Sequence, residues 1–189
     1  MRIGGQAPLT SGELSSYRMA MSLPISGGGP GVPGREPTHK ALDLRKMMNL
    51  GMAVEEAAGD EPITVDAIDE LALEEGVDTS HLYAAAAMTT EVEFARHNDV
   101  AFVTCGGNCQ HWGALECIEH LVSLRQKRIE AGKTAFDIEA KRCLDKCEHG
   151  PVVLVRSPLG TAVIARATKE SLSTAVAETC DSSPADEVE

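Results

Sequence analysis

The chain has 189 residues, enough for one domain with a helical extension. Its net charge of −12 argues against a nucleic-acid binder, which needs a basic face to release counterions. Aromatic residues make up only 3%, so the core must be built from Val, Leu, Ile, Ala and Met. No apolar run approaches the ~18 residues of a membrane span.

Residues 1–37 read as a disordered tail. Gly27-Gly28-Gly29-Pro30-Gly31-Val32-Pro33-Gly34 cannot hold a helix or a central strand. Over residues 1–35, Arg2, Arg18 and Arg35 face a single acid, Glu13, so a transit peptide stays open beside the tail reading. The expected location is cytoplasmic, with an organellar matrix as the alternative.

A helix is expected from Thr38 to Ala58, with Leu42, Met47, Leu50, Val54 and Ala57 as its apolar stripe. Gly59-Asp60-Glu61-Pro62 ends it. A second helix is expected between a Thr64 cap and Gly76, burying Ile68, Leu71 and Ala72. Asp78 or Thr79 caps a third through Leu82, Tyr83, Ala84, Ala85, Ala86, Ala87 and Met88, where the alanines permit close helix approach. Residues 38–98 thus form a helical arm.

The period changes at Asp99. Residues 100–104 read as a short buried strand ending at Cys105. Residues 110–131 read as a helix with Leu115, Ile118, Leu121 and Val122 inward and Gly132 as its stop. Phe136, Ile138 and Ala140 alternate as in a half-buried strand. Residues 151–156 and 161–166 form a hairpin around Ser157-Pro158-Leu159-Gly160. Thr168 caps a last helix over Leu172, Ala175 and Val176. Residues 181–189 hold four acids and no base, and read as a disordered tail. The order β-α-β-β-β-α over 99–180 predicts an α/β fold with a thioredoxin-like layer.

Six cysteines without a secretory pattern point to metal or redox chemistry. Cys105-Gly106-Gly107-Asn108-Cys109 and Cys143-Leu144-Asp145-Lys146-Cys147 are two C-x3-C pairs. Each lies at a strand end or in a loop, so both can converge at one end of a sheet. Four thiolates suit a [2Fe–2S] cluster, two on each iron. Cys109 is expected at a helix start, where free N–H groups favour an anionic cluster. Cys117 falls eight residues on, roughly 12 Å along a continuous helix, and is expected to be a buried structural cysteine. Cys180 is read as incidental. A zinc site is the alternative, although all-cysteine zinc knuckles use C-x2-C; a dithiol enzyme would need C-x2-C, which is not present. His111 and His149 flank the cysteines and could tune a cluster or replace a ligand, against a solvent-facing role. Trp112 is expected to pack against the sheet or a partner, and Lys146 to offset cluster charge or to be solvated.

Residues 99–178 resemble the thioredoxin-like [2Fe–2S] ferredoxin family. The resemblance rests on Cys109-x3-Gly113-Ala114 leading into Ile118-Glu119-His120-Leu121, on Cys143-Leu144-x2-Cys147, and on Gly150-Pro151-Val152-Val153. Residues 63–94, with Ala67-Ile68-x2-Leu71-Ala72, Gly76-Val77 and Leu82-Tyr83, are similar to the helical arm of one branch. That branch contains the small iron–sulfur subunit of the NADH-dehydrogenase module of complex I and relatives in NAD-linked hydrogenases and formate dehydrogenases. The resemblance implies the ligands Cys105, Cys109, Cys143 and Cys147. It also implies a non-catalytic electron-transfer subunit whose arm docks on a flavin-containing, NAD(P)-binding subunit of a hetero-oligomer. A stand-alone ferredoxin is the alternative. The chain has no Gly-rich dinucleotide fingerprint, so NAD binding is expected to lie with the partner.

Overall fold

A computed structural model describes residues 43–106, 108–146 and 149–181; the expected tail 1–37 and, of the expected tail 181–189, residues 182–189 lie outside these. The first helix, α1, spans Leu44–Ala58. It starts later than expected from the apolar pattern because Asp43 is extended and its carboxylate accepts the Lys46 N–H at 3.1 Å. Residues 38–42 lie outside the described residues. Met47, Leu50 and Val54 are buried; Ala57, expected on the same stripe, is exposed. Gly51 instead turns inward, where a Cβ would collide with Thr89.

Helix α2, Val65–Glu75, runs between the Thr64 cap and a left-handed Gly76, as the sequence predicts. Helix α3, Thr79–Thr89, is capped by Asp78 and buried almost all round, from Leu82 to Met88. A helix that is apolar on every side belongs at the centre of a core, and α1 and α2 both pack on it. Segment 90–100 then returns in extended form: Ile63 pairs with Phe94, and the Tyr83 and Phe94 rings stack at 5.4 Å.

The remaining elements make a mixed four-stranded sheet of order β2-β1-β3-β4. The strands are β1 Ala101–Cys105, β2 Asp137–Lys141, β3 Val153–Ser157 and β4 Gly160–Ile164. β1 and β2 are parallel, with Cys105 opposite Lys141; β3 is antiparallel to β1 and forms the expected hairpin with β4. Between β1 and β2 the chain departs from the expected helix over 110–131. Residues Asn108–Trp112 form a short 3-10 turn, and α4 begins only at Ala114 and runs to Glu130. Gly113, at φ 89°, separates them; that left-handed conformation is cheap only for glycine.

β2 also differs from expectation. Phe136, Ile138 and Ala140 are buried, but so are Asp137 and Glu139, at 1% and 4% exposure. The strand is covered on both faces because these acids have partners. Helix α5, Lys169–Cys180, opens with a reciprocal Thr168–Ser171 capping box. Asp181, expected in the acidic tail, is tied down by Arg128 Nη1 at 2.9 Å. One hydrophobic cluster runs from Met47 and Leu50 through the α3 alanines, Phe102, Ile118 and Phe136 to Leu172 and Val176, so α1–α3 and the sheet share a core. Among the described residues no helix is long and apolar enough to cross a membrane.

A pH response follows from the α4–α5 contact. His120 Nε2 lies 2.8 Å from Ser173 Oγ, whose own proton is donated to Lys169 O at 2.9 Å, so the ring nitrogen donates. Burial, and then the Lys169 charge, hold the His120 pKa below its ordinary value. The folded chain therefore favours the neutral ring. This contribution to stability is complete above the ordinary pKa of about 6.5 and drains away as pH falls through the lower folded value. Melting temperature is expected to drop between about pH 7.5 and pH 5.5, and to drop less in His120→Gln. Equal slopes for the two chains would refute this role for His120.

Candidate metal centre

Two neighbouring parallel strands must end on the same side of a sheet, and the loops that leave them open into one crevice. Here the loop after β1 carries Cys109 and the loop after β2 carries Cys143. The junction is tight. Gly106 N–H donates to Lys141 O at 2.7 Å, and Cys105 Sγ donates to Arg142 O at 3.4 Å. Gly106 lies against α3: a Cβ there would collide with Ala87, whose backbone C would stand at 3.1 Å. A glycine is needed for β1 to run on past that helix.

Cys105 and Cys109 are buried together with Ala114 in a small cluster separate from the main core, and Leu144 packs onto it. Leu144 brings the second cysteine loop to the first. Cys143 is exposed. Its Sγ accepts the Asp145 N–H at 3.3 Å, a contact shaped by the positive φ of 54° at Asp145. Cys147 lies outside the described residues, as does the side chain of His111. Two of the four expected ligands are thus brought into one cluster, and the third sits on the adjoining loop. Among the described residues no group of three His, Cys, Asp or Glu side chains is placed to hold a metal ion.

The helix end does not fall where the sequence placed it. Cys109 is in the 3-10 turn rather than at the start of α4, and Gly113 caps that helix without a side chain. The Leu115 N–H at this end is taken by Gln110 Oε1 at 3.1 Å. The dipole of α4 therefore does not open directly on Cys109. Gln110 supplies something else: its Nε2 is buried with no hydrogen-bond partner among the described residues, one residue from Cys109. An orphaned buried donor suits a site built for an anionic group. A sulfur-only donor set, an apolar wall and a backbone N–H on Cys143 Sγ likewise suit an iron–sulfur cluster, whose sulfurs are stabilised by such donors.

Cys117 sits in the first turn of α4, inside the main core, with Sγ 3.8 Å from Ala167 O. Packing separates it from Cys105 and Cys109, in keeping with its expected structural role. The backbone carbonyl of Cys180 accepts from Arg128 Nη2 at 3.5 Å, and burial raises its thiol pKa. Trp112 is buried. His149 is exposed, and its backbone accepts the Arg166 N–H at 2.7 Å; Lys146 is exposed.

Sequence reasoning missed the polar layer beside this crevice. Glu139 is held by Arg96 Nε and by Arg156 Nη1, the latter at 3.2 and 3.0 Å to its two oxygens. Asp137 accepts from His97 N, Asn98 N and Asn98 Nδ2. A cavity of about 370 Å³ lies between segment 90–96 and the end of β2, lined by Arg96, Glu139, Arg142 and Cys143 among others. The signal in the sequence was the pair of acids alternating with Phe136, Ile138 and Ala140. Compared with known protein families and with curated proteins, the sequence gives no match.

Proposed function

We propose that this chain is an electron-transfer subunit carrying one [2Fe–2S] cluster on Cys105, Cys109, Cys143 and Cys147. The observation that carries this reading is the parallel register that sets Cys105 against Lys141, because it sends both C-x3-C loops out of the same end of the sheet. The strand order β2-β1-β3-β4, with a β-α-β unit followed by a hairpin and a helix, supports a thioredoxin-like assignment of the domain. When bound, the cluster would supply a one-electron redox step.

The chain's own residues divide the work around it. Cys105 and Cys109, buried with Ala114 under Leu144, keep water from one side. Cys143 Sγ accepts the Asp145 N–H and lies 3.6 Å from Asp145 Oδ1, so residue 145 orients this ligand on its loop. Cys143, exposed on its loop, marks the surface through which electrons enter or leave. In this reading the partner is a flavin-containing subunit of an NAD(P)-linked or other flavin-linked oxidoreductase, contacted through the helices of segment 38–98.

The test is metal and sulfide analysis of aerobically purified full-length protein together with its visible spectrum. Iron and sulfide of about two each per chain, with visible absorption that bleaches on reduction, are expected. Colourless protein with stoichiometric zinc would overturn the cluster in favour of a zinc-stabilised interaction module. Co-purification of a flavoprotein is expected; a coloured monomer without one would make the chain a stand-alone ferredoxin.

A further inference from the structure

Away from the cysteines, α2, the start of α3, α4 and β2 leave a cavity of about 580 Å³ between them. That volume lies within the range of about 300–1,000 Å³ typical of small-molecule sites. Val65, Ala72, Val77, Val122 and Ile138 give it apolar walls, and Asp69, Arg125 and Tyr83 bring polar groups to it. Tyr83 is 1% exposed, yet among the described residues its hydroxyl has no hydrogen-bond partner. Buried phenols normally find one. The ring is held by its stack on Phe94, so the hydroxyl cannot swing to another partner. The charges that act most strongly on this hydroxyl are Asp69 and then Arg125, both in the cavity wall.

Those two charges form a loose ion pair that Thr79 supports with a side-chain hydrogen bond to Asp69. Arg125 Nη1 stands 3.6 Å from Asp69 Oδ2, while Arg125 Nε is committed to Phe136 O at 3.2 Å. The cavity therefore sets a loose ion pair beside a buried, unsatisfied hydroxyl, with Val65, Val122 and Ile138 as its apolar wall. The geometry points to a binding site for a small neutral amphiphile, with an apolar body against Val65, Val122 and Ile138 and an amide or hydroxyl head at Tyr83. A neutral head is favoured because it carries donor and acceptor together, matching opposite charges on its two sides. An ionised head would meet a like charge whichever sign it bore, and would lose its hydration as well. Burial raises the Asp69 pKa even with Arg125 beside it, so a further charge at this place would be costly.

The test uses full-length purified protein with labelled Val, Leu and Ile methyl groups, titrated with hexanamide, hexanoate and hexylamine. Hexanamide should shift the Val65, Val122 and Ile138 methyl resonances saturably, and the two ionised analogues should bind at least about tenfold more weakly. Tyr83→Phe, which keeps the ring stack, should weaken hexanamide binding about tenfold. Val122→Phe, filling the chamber from α4, should abolish the shifts. No saturable shift by about 10 mM hexanamide would mean that the cavity holds water only, and would overturn the site. Equal binding to Tyr83→Phe would overturn it too, since the head group would then lie elsewhere.

Discussion

Cys109→Ser is expected to strip the purified chain of its visible absorption and most of its iron, whereas Cys117→Ser should leave both in place. The two cysteines are eight positions apart and both buried, so burial alone does not separate them. Their surroundings do. Cys109 shares a small cluster with Cys105 and Ala114, under Leu144 from the second cysteine loop. Cys117 faces the main core and the Ala167 carbonyl. In the proposed cluster, losing one of four thiolates would leave an iron short of a ligand, and serine is a poor replacement for it. Iron is expected to fall from about two per chain to well under half of that. Cys117→Ser instead puts a hydroxyl where a weakly polar thiol sat, at a cost of about 1–2 kcal/mol in stability with the spectrum intact. Iron content should thus fall in Cys109→Ser, while Cys117→Ser should lower the melting temperature and leave the iron unchanged. A Cys117→Ser chain without colour, or a Cys109→Ser chain with a full complement of iron, would reverse the ligand assignment.

The sequence disclosed most where a feature is local. The Thr64, Asp78 and Thr168 caps, the left-handed Gly76 and the Ser157–Gly160 turn each depend on a side chain or a φ angle within three or four residues. The start of α4 was misplaced because Leu115, Ile118 and Leu121 keep helical spacing on either reading. Only the conformation of Gly113 shows that the turn at Asn108–Trp112 is a separate piece. Spacing within each C-x3-C pair likewise says nothing about whether the pairs meet. That depends on β1 and β2 lying side by side and parallel, a contact between residues more than 30 apart. The buried acids of β2 were hidden for the same reason. Alternation makes Asp137 and Glu139 look solvated, and the groups that allow their burial lie far off in the chain: Asn98 for Asp137, Arg96 for Glu139.

Asp137→Ala should be among the most destabilising single substitutions in the chain. Its Oδ2 accepts two backbone N–H groups, His97 at 2.7 Å and Asn98 at 2.8 Å, and its Oδ1 accepts Asn98 Nδ2 at 2.7 Å. The side chain thereby clamps the segment entering β1 to the first residue of β2, whose own N–H donates to Val100 O at 2.9 Å. Hydrogen bonds to a charged group contribute about 1.5–3 kcal/mol each. They do not add here, because exposed His97 and half-buried Asn98 can recover water once the carboxylate is gone. A net loss of about 3 kcal/mol follows, or about 6–12 °C in melting temperature for a chain of this size. Asp137→Asn retains one acceptor and should lose about half as much. The clamp closes the Ala101–Asp137 end of the parallel pair, and the cysteine loops leave from the Cys105–Lys141 end. Asp137→Ala should therefore keep its iron at room temperature and lose it only with the fold, at the lowered melting point. A variant that melts with the parent would show that the carboxylate is not a clamp, and one that loses iron while still folded would show that the two ends of the strand pair are coupled.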